Sequence, residues 1–191
     1  MNPPPRLLVL TDRSQLPLGR SLRAVLTLCV EAGLTHVVLR EPDLADEQRA
    51  RLAADLGASG LAVIAAHRPV PGSAGRHLAA DQPAPDAQTV AAWGRSCHSA
   101  PDIAAAAREG AQWATLSPYA PTLSKPGYGP PQPAAAFAGH DIPVYALGGV
   151  SAANAAAARA AGAHGVAVMG AVMRAPDPAG VVAALLREVA A

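Results

Sequence analysis

The chain has 191 residues, a net charge of +1 and a hydrophobic content of 51%, with charged residues of both signs scattered along it. This length suits one domain with a substantial core, and the near-neutral charge argues against binding to nucleic acid or to an anionic membrane surface. No apolar run reaches the roughly 18 residues of a membrane span, and the two cysteines are too few for a disulfide framework, so we expect a cytoplasmic protein with reduced thiols.

The apolar residues form short runs that alternate with longer helical patterns. Eight runs are predicted strands, at residues 7–10, 36–39, 61–66, 77–79, 94–97, 113–116, 143–147 and 165–169. Apolar residues at helical spacing predict helices over residues 18–32, 44–56, 101–109, 152–161 and 177–190, with weaker patterns at 84–92 and 133–138. Residues 69–75 are too rich in proline and glycine for a helix, so we expect the third helix to be shortened or missing.

Strands that alternate with helices are typical of parallel βαβ units. Eight such units predict a closed (β/α)8 TIM barrel, an α/β fold, as a single domain over residues 1–191. This would be a small barrel, and a doubly wound open sheet is the alternative architecture.

Polar side chains and glycines follow nearly every predicted strand. In a barrel these positions meet on one face, the C-terminal rim, where barrel enzymes build their active sites. His98 is either a general acid or base or a half-buried imidazole, and the pair His67 and Asp81 lacks the third ligand of a metal site. The rim would include Asp12, Arg13, Arg40, Glu41, His67, Arg68, Asp81, His98, Ser99, residues 117–125, Gly148, Gly149 and Gly170.

The segment 115–129 contains the only lysine of the chain, Lys125; the remaining basic residues are all arginine. A compact ammonium group can donate to one oxygen in a way that the wide guanidinium fork cannot. Together with the hydroxyls of Ser117, Thr122 and Ser124, it forms a candidate phosphate-binding loop. The alternative is a surface loop stiffened by prolines.

A second candidate phosphate site follows the last two strands. Gly148 and Gly149 come after the seventh strand and Gly170 after the eighth. At this place in a barrel, backbone N–H groups and a helix N-terminus commonly bind phosphate. The alternative is that the two adjacent glycines only make a tight turn from strand to helix.

Six stretches of the sequence match one known family in the same order. They are residues 10–13 (LTDR), 38–41 (VLRE), 95–99 (RSCHS), 121–125 (PTLSK), 145–150 (YALGGV) and 165–169 (GVAVM). Because these stretches are distributed along nearly the whole chain, it resembles the thiamine phosphate synthase and thiazole tautomerase family over nearly its whole length.

The resemblance implies a barrel that binds a thiazole phosphate and, in the synthase branch, a hydroxymethylpyrimidine pyrophosphate with Mg²⁺. It implies that Ser96 and the loop of Thr122, Ser124 and Lys125 hold phosphate or pyrophosphate, while Gly149 and the Gly170 region hold the thiazole phosphate. The sequence leaves open whether the protein forms a homo-oligomer. The expected site comprises the catalytic candidates Arg40, His67, His98 and Lys125, the metal candidate Asp81, and the binding candidates Arg13, Arg68, Ser96, Thr122, Ser124, Gly148, Gly149, Met169 and Gly170.

The chain departs from the family pattern at several expected site positions. Val38 and Pro42 stand where the family has a glutamine and a lysine. Ala66 and His67 replace an asparagine and a magnesium-binding aspartate, and Ala80 replaces a glutamine next to Asp81. Magnesium prefers oxygen ligands, so the implied Mg²⁺ site is incomplete in this sequence.

Three functions therefore remain open. The first is a divergent thiamine phosphate synthase, a transferase, which the loop 122–125 supports. The second is a metal-independent tautomerase-like isomerase. The histidine that the resemblance associates with this reaction falls near Pro118, so His67 or His98 would have to transfer the proton. The third is a binding or regulatory protein that holds a phosphorylated ligand without catalysis.

Overall fold

The computed structural model describes residues 4–86, 92–122, 127 and 129–190. Its eight parallel strands close into a barrel, because each strand pairs with the next and the last strand pairs with the first. Leu8 of the first strand is in register with Ala167 of the last. The predicted (β/α)8 barrel is therefore confirmed, and the open sheet is wrong.

The strands are four or five residues long, and most of their residues are buried. They are β1 (Leu7–Leu10), β2 (His36–Leu39), β3 (Ala62–Ala66), β4 (Gly75–Leu78), β5 (Trp93–Cys97), β6 (Trp113–Leu116), β7 (Val144–Leu147) and β8 (Gly165–Val168). The described residues form the α-helices α1 (Leu22–Glu31), α2 (Asp46–Ala58), α3 (Ala100–Arg108), α4 (Ala152–Ala160), α5 (Gly170–Met173) and α6 (Pro178–Ala190).

The connection between β3 and β4, residues 67–74, contains no helix, so the missing third helix is confirmed. Two weaker helical patterns have different outcomes. Residues 133–138 form a short 3-10 helix, Ala134–Phe137. In the pattern at 84–92, residues 84–86 and 92 are not helical and residues 87–91 lie outside the described part. The single turn α5 was not predicted, because four residues are too few to show a helical period.

Alternate strand residues build two apolar clusters, as expected when successive side chains point to opposite faces of a sheet. One cluster fills the barrel interior and includes Leu8, Val38, Ile64, Trp113 and Tyr145. The other packs between the strands and the helices that surround them, with a large share of valine, leucine and alanine. The barrel interior is thus filled by side chains rather than being an open channel.

None of the described helices is long and apolar enough to span a membrane. Both cysteines, Cys29 and Cys97, are buried as free thiols in the cluster outside the strands. Burial raises the pKa of each thiol to about 12, so neither is a reactive thiolate near neutral pH.

Candidate active site

A cavity of about 560 Å³ opens at the carboxyl ends of the strands. Its lining comes from every strand or from the residues directly after it, from Leu10 of β1 to Arg174 beyond β8. This volume is in the usual range for sites that hold a small molecule. The cavity includes ten of the expected site residues: Arg40, His67, Asp81, Ser96, His98, Thr122, Gly148, Gly149, Met169 and Gly170.

The remaining four expected residues are not part of the described lining. Ser124 and Lys125 lie outside the described residues, so their roles stay predictions. Arg13 and Arg68 are described, but neither lines the cavity.

The guanidinium groups of Arg13 and Arg68 are instead held by the segment that joins β2 to α2. Arg13 contacts Glu41 at 2.9 Å and Asp43 at 2.6 Å. Arg68 contacts Asp46 at 2.7 Å and donates to the carbonyl of Leu44 at 2.8 Å. In the structure, these arginines therefore hold this segment and the start of α2, and their guanidinium groups do not line the cavity.

Arg40, at the end of β2, is oriented over the cavity by the residues after β1. Its guanidinium lies 3.4 Å from an Asp12 carboxylate oxygen and 3.8 Å from the Met169 sulfur, and its backbone N–H donates to Thr11. Burial alone would raise the pKa of the Asp12 carboxyl, but hydrogen bonds from Ser14 and Gln15 and the charge of Arg40 hold it below its usual value. The ionised Asp12 then fixes the cation in place.

His67, directly after β3, adopts a left-handed backbone conformation with φ of 60°. Histidine, asparagine and aspartate are the side chains most often found in this region apart from glycine. Burial and the nearby charge of Arg40 lower the pKa of His67, although hydrogen bonding to Gln82 and the charge of Asp81 oppose this. His67 is therefore a neutral imidazole near pH 7 and not a cation that could bind phosphate.

His98, after β5, places Nδ1 of its ring against both oxygen atoms of Ser117. Nδ1 lies 3.3 Å from the carbonyl oxygen of Ser117 and 3.2 Å from its hydroxyl oxygen. A carbonyl can only accept, so Nδ1 carries the proton when it bonds there and Nε2 is the basic nitrogen. Asp102 accepts from the backbone N–H of His98, and Gln132 donates to its carbonyl, which fixes the backbone of this residue. This arrangement suits a general base.

Gly148 and Gly149 form a turn that packs against the segment after β6. Both have positive φ, 89° and 67°. A methyl group on Gly149 would lie 2.5 Å from the carbonyl oxygens of Ala120 and Pro121. Glycine is therefore required here for close approach of two backbone segments, so the turn has a structural role whether or not its N–H groups also bind phosphate.

Arg174 lines the same part of the cavity and was not predicted. The short helix α5 brings it one turn after Gly170, and its guanidinium covers that glycine so closely that a methyl group there would collide with it. Its guanidinium also donates to the side chain of Gln15. In the sequence, Arg174 follows Gly170 by four residues, which is one helical turn. This spacing indicates that the two residues are neighbours only when α5 is known to be helical.

Beside Ser96, the cavity is lined by a buried histidine, His77 of β4, which the sequence pattern predicts only as a strand residue. Its Nε2 lies 3.1 Å from the Ser96 hydroxyl oxygen, and its Nδ1 accepts from the indole N–H of Trp113 at 3.2 Å. Burial, with a smaller effect of His67, lowers the pKa of His77 from 6.5 to about 4. The ring is therefore neutral at physiological pH.

The described cavity does not fit a resident Mg²⁺ ion. No group of three or more His, Cys, Asp or Glu side chains that could hold a metal occurs among the described residues. Asp81 is the carboxylate of the described lining, and its neighbours Ala66 and Ala80 present only hydrocarbon. Because Mg²⁺ needs several oxygen ligands, the wall formed by these residues is not a preformed metal site.

Comparisons with known proteins agree with this architecture. A family model described as "Thiamine monophosphate synthase" matches residues 72–172. A putative thiamine-phosphate synthase from Geobacter sulfurreducens is 38% identical over 90% of this chain and 88% of its own length. A thiamine-phosphate synthase from Salinispora tropica is 34% identical, with 95% of each chain covered. In fold, a thiamine phosphate pyrophosphorylase from Pyrococcus furiosus matches with a TM-score of 0.82 and 22% identity over 97% of this chain and 95% of that one.

Proposed function

Because the chain belongs to the thiamine monophosphate synthase family of enzymes, we propose that it joins a hydroxymethylpyrimidine pyrophosphate to a thiazole phosphate. In this reaction the thiazole nitrogen forms a bond to the methylene carbon of the pyrimidine. The bond from that carbon to pyrophosphate breaks, and pyrophosphate leaves with the electron pair. The products are thiamine phosphate and pyrophosphate.

The cavity at the C-terminal rim is the observation on which this proposal mainly rests. It combines a cation, Arg40, and a hydroxyl, Ser96, with the glycine turn 148–149 and with Arg174. Two anionic groups can therefore be held in one cavity, as a reaction between two phosphorylated substrates requires. The leaving pyrophosphate gains negative charge in the transition state, so a fixed cation and a fixed hydroxyl donor would lower the barrier.

We assign the two phosphorylated groups to different parts of the cavity. Arg40 and Ser96, with the predicted loop 122–125, would hold the pyrophosphate. The backbone of Gly148–Gly149 and the guanidinium of Arg174 would hold the thiazole phosphate. Guanidinium groups suit this task because they can donate two parallel hydrogen bonds to a phosphate. The side chains of Ala66, Ala80 and neutral His67 add no charge to the pyrophosphate part, so we expect slow turnover.

The proposal is tested by incubating the protein with both substrates and measuring thiamine phosphate. Formation of the product that depends on Arg40 and Ser96 is the expected result. Absence of the product at high enzyme concentration, with thiazole phosphate still bound in calorimetry, would contradict synthase activity. That second outcome would favour a protein that binds a phosphorylated ligand without catalysis.

A metal-independent tautomerase-like isomerase is the second candidate, and the geometry of His98 favours it. When Nδ1 donates to the Ser117 carbonyl, Nε2 is the basic nitrogen of a residue that lines the cavity. The ring also lies against Ser117, next to Pro118, where the sequence itself offers no base. Isomerisation of a thiazole carboxylate phosphate that is insensitive to EDTA and is lost in His98→Ala would support this function. Unchanged isomerisation in His98→Ala would exclude His98 as the base.

A further inference from the structure

Three residues on neighbouring strands form one row across the barrel wall. His77 of β4 is in register with Gly94 of β5, and Gly94 is in register with Trp113 of β6. A methyl group on Gly94 would collide with the indole ring of Trp113. The absence of a side chain on the middle strand therefore lets the imidazole and the indole meet across it.

The contact between the two rings fixes the tautomer of His77. An indole N–H can only donate, so the nitrogen that it contacts, Nδ1 at 3.2 Å, must be unprotonated. In the neutral ring the proton is then on Nε2. This nitrogen lies 3.1 Å from the Ser96 hydroxyl oxygen and 3.4 Å from that of Thr115, so the shorter contact is a hydrogen bond donated to Ser96.

The direction of this hydrogen bond determines what Ser96 can do. A hydroxyl that accepts from His77 keeps its own proton available for another acceptor. Ser96 and His77 both line the cavity, but His77 is only 3% exposed and Thr115 only 2%, so Ser96 is the more accessible partner of a ligand. A phosphate oxygen of a ligand is an acceptor without protons to offer, so a hydroxyl held as a donor is the partner it needs.

We propose that His77 is a positioning residue that, with its tautomer fixed by Trp113, keeps the Ser96 hydroxyl as a hydrogen-bond donor toward the phosphate-bearing ligand. This inference rests on the proposed function for the identity of the ligand, but the ring tautomer can be measured without any ligand. The role is indirect, because His77 acts through Ser96.

The tautomer is tested in the unmodified protein by long-range ¹H–¹⁵N correlation spectroscopy of the histidine rings. We expect the pattern of an imidazole protonated at Nε2 for His77. Trp113→Phe, which removes the N–H donor but keeps an aromatic ring, should allow the other tautomer to appear. Trp93→Phe is the matched control, because Trp93 packs on the outer side of the barrel wall against Arg95. A His77 ring protonated at Nδ1 in the unmodified protein would overturn the proposal.

Binding of inorganic pyrophosphate, measured by calorimetry, tests the consequence for Ser96. We expect Trp113→Phe to weaken binding about three- to tenfold, the effect of one hydrogen bond. It should have no further effect in a Ser96→Ala background. His77→Gln, which keeps an N–H donor in reach of Ser96, should retain more affinity than His77→Met. Equal loss in the Gln and Met variants, or additive effects of the Trp113 and Ser96 changes, would overturn the positioning role.

The two proposals can fail separately. If the unmodified protein binds neither pyrophosphate nor thiazole phosphate, the proposed function is contradicted, while the spectrum still decides whether Trp113 and His77 position Ser96. If pyrophosphate binds and the ring is protonated at Nδ1, the positioning role fails and the proposed function stands.

Discussion

Two sides of the rim are built in different ways. The β7–β8 side, residues 147–150 and 167–174, consists of a glycine turn and a short helix backed by α4 and α6. The β3–β4 side, residues 66–68 and 79–81, has no helix in the connection 67–74, and its wall contains three alanines and a neutral histidine. Its arginine, Arg68, is turned away to Asp46.

This difference indicates why one side matches the family pattern and the other does not. On the β7–β8 side, the shape of the site depends on backbone conformation, and a side chain at Gly149 would disturb packing as well as binding. On the β3–β4 side, the chemistry depends on side chains, and those of Ala80 and Asp81 are exposed and can be exchanged with little effect on the fold. The binding of thiazole phosphate should therefore be more robust than the stabilisation of the leaving pyrophosphate.

The largest effect is expected from Arg40→Ala. It removes the fixed cation, so turnover to thiamine phosphate should fall about 100-fold or more. Affinity for thiazole phosphate should change much less if the two sides act separately. The control is Arg51→Ala, because Arg51 lies on α2 in an exposed pair with Glu47. Equal losses of affinity for both substrates would show that the two sides form one binding unit.

The free energy of unfolding should depend on pH because His77 of β4 is a buried imidazole. His77 has its pKa lowered to about 4, so between about pH 4 and 6.5 the unfolded chain binds a proton that the folded protein excludes. The free energy of unfolding should therefore fall as pH decreases through this window, by roughly 3 kcal/mol if the whole shift is expressed. Urea denaturation of the unmodified protein and of His77→Gln at several pH values measures this. The same slope in both proteins would contradict the prediction.

The glycine turn can be tested by comparing two glycines that both have positive φ. Gly149→Ala should destabilise the protein by roughly 2–3 kcal/mol, because strain and a clash with two carbonyl oxygens combine. Gly110→Ala, with open space around it, should lose only about 1–2 kcal/mol from its left-handed conformation. Chemical denaturation gives both values. Equal losses would mean that the segment after β6 moves aside and that the turn is not tightly packed.

The smallest expected effect is an increase in synthase turnover when oxygen groups are added on the β3–β4 side. Ala66→Asn together with His67→Asp supplies oxygen groups near Asp81, and aspartate tolerates the left-handed backbone of residue 67. We expect synthase turnover to rise about tenfold, the result of roughly 1.4 kcal/mol of added stabilisation. The increase should disappear when EDTA is added. Unchanged turnover would show that this wall does not limit the reaction.

The sequence predicted the barrel well, because its eight apolar runs and the helical patterns between most of them are local signals. Most strand limits agree to within two residues, and the expected gap after β3 is present. Ten of the fourteen expected site residues line one cavity, because parallel strands bring the residues after them to the same rim.

The differences between the expected site and the cavity lining depend on where long side chains point. Arg13 and Arg68 follow strands as Arg40 does, but nearby carboxylates on the segment after β2 hold their guanidinium groups. Arg174 and His77, by contrast, line the cavity although the sequence did not predict them as site residues. Their roles appear only when α5 is known to turn and when Gly94 is known to separate two larger residues.

The short connection between β3 and β4 also has a consequence for the order in which the barrel folds. Residues 67–74 join this strand pair, whereas residues 148–164 join β7 to β8. Halving a connection lowers the entropy cost of closing it by about 0.6 kcal/mol, and rates of folding rise as contacts become more local. We therefore expect β3 and β4 to pair early in folding. For each variant, the loss of refolding rate is compared with the loss of stability. This ratio should be larger for Ile64→Val in β3 than for Val166→Ala in β8. The reverse order would mean that β7 and β8 pair early instead.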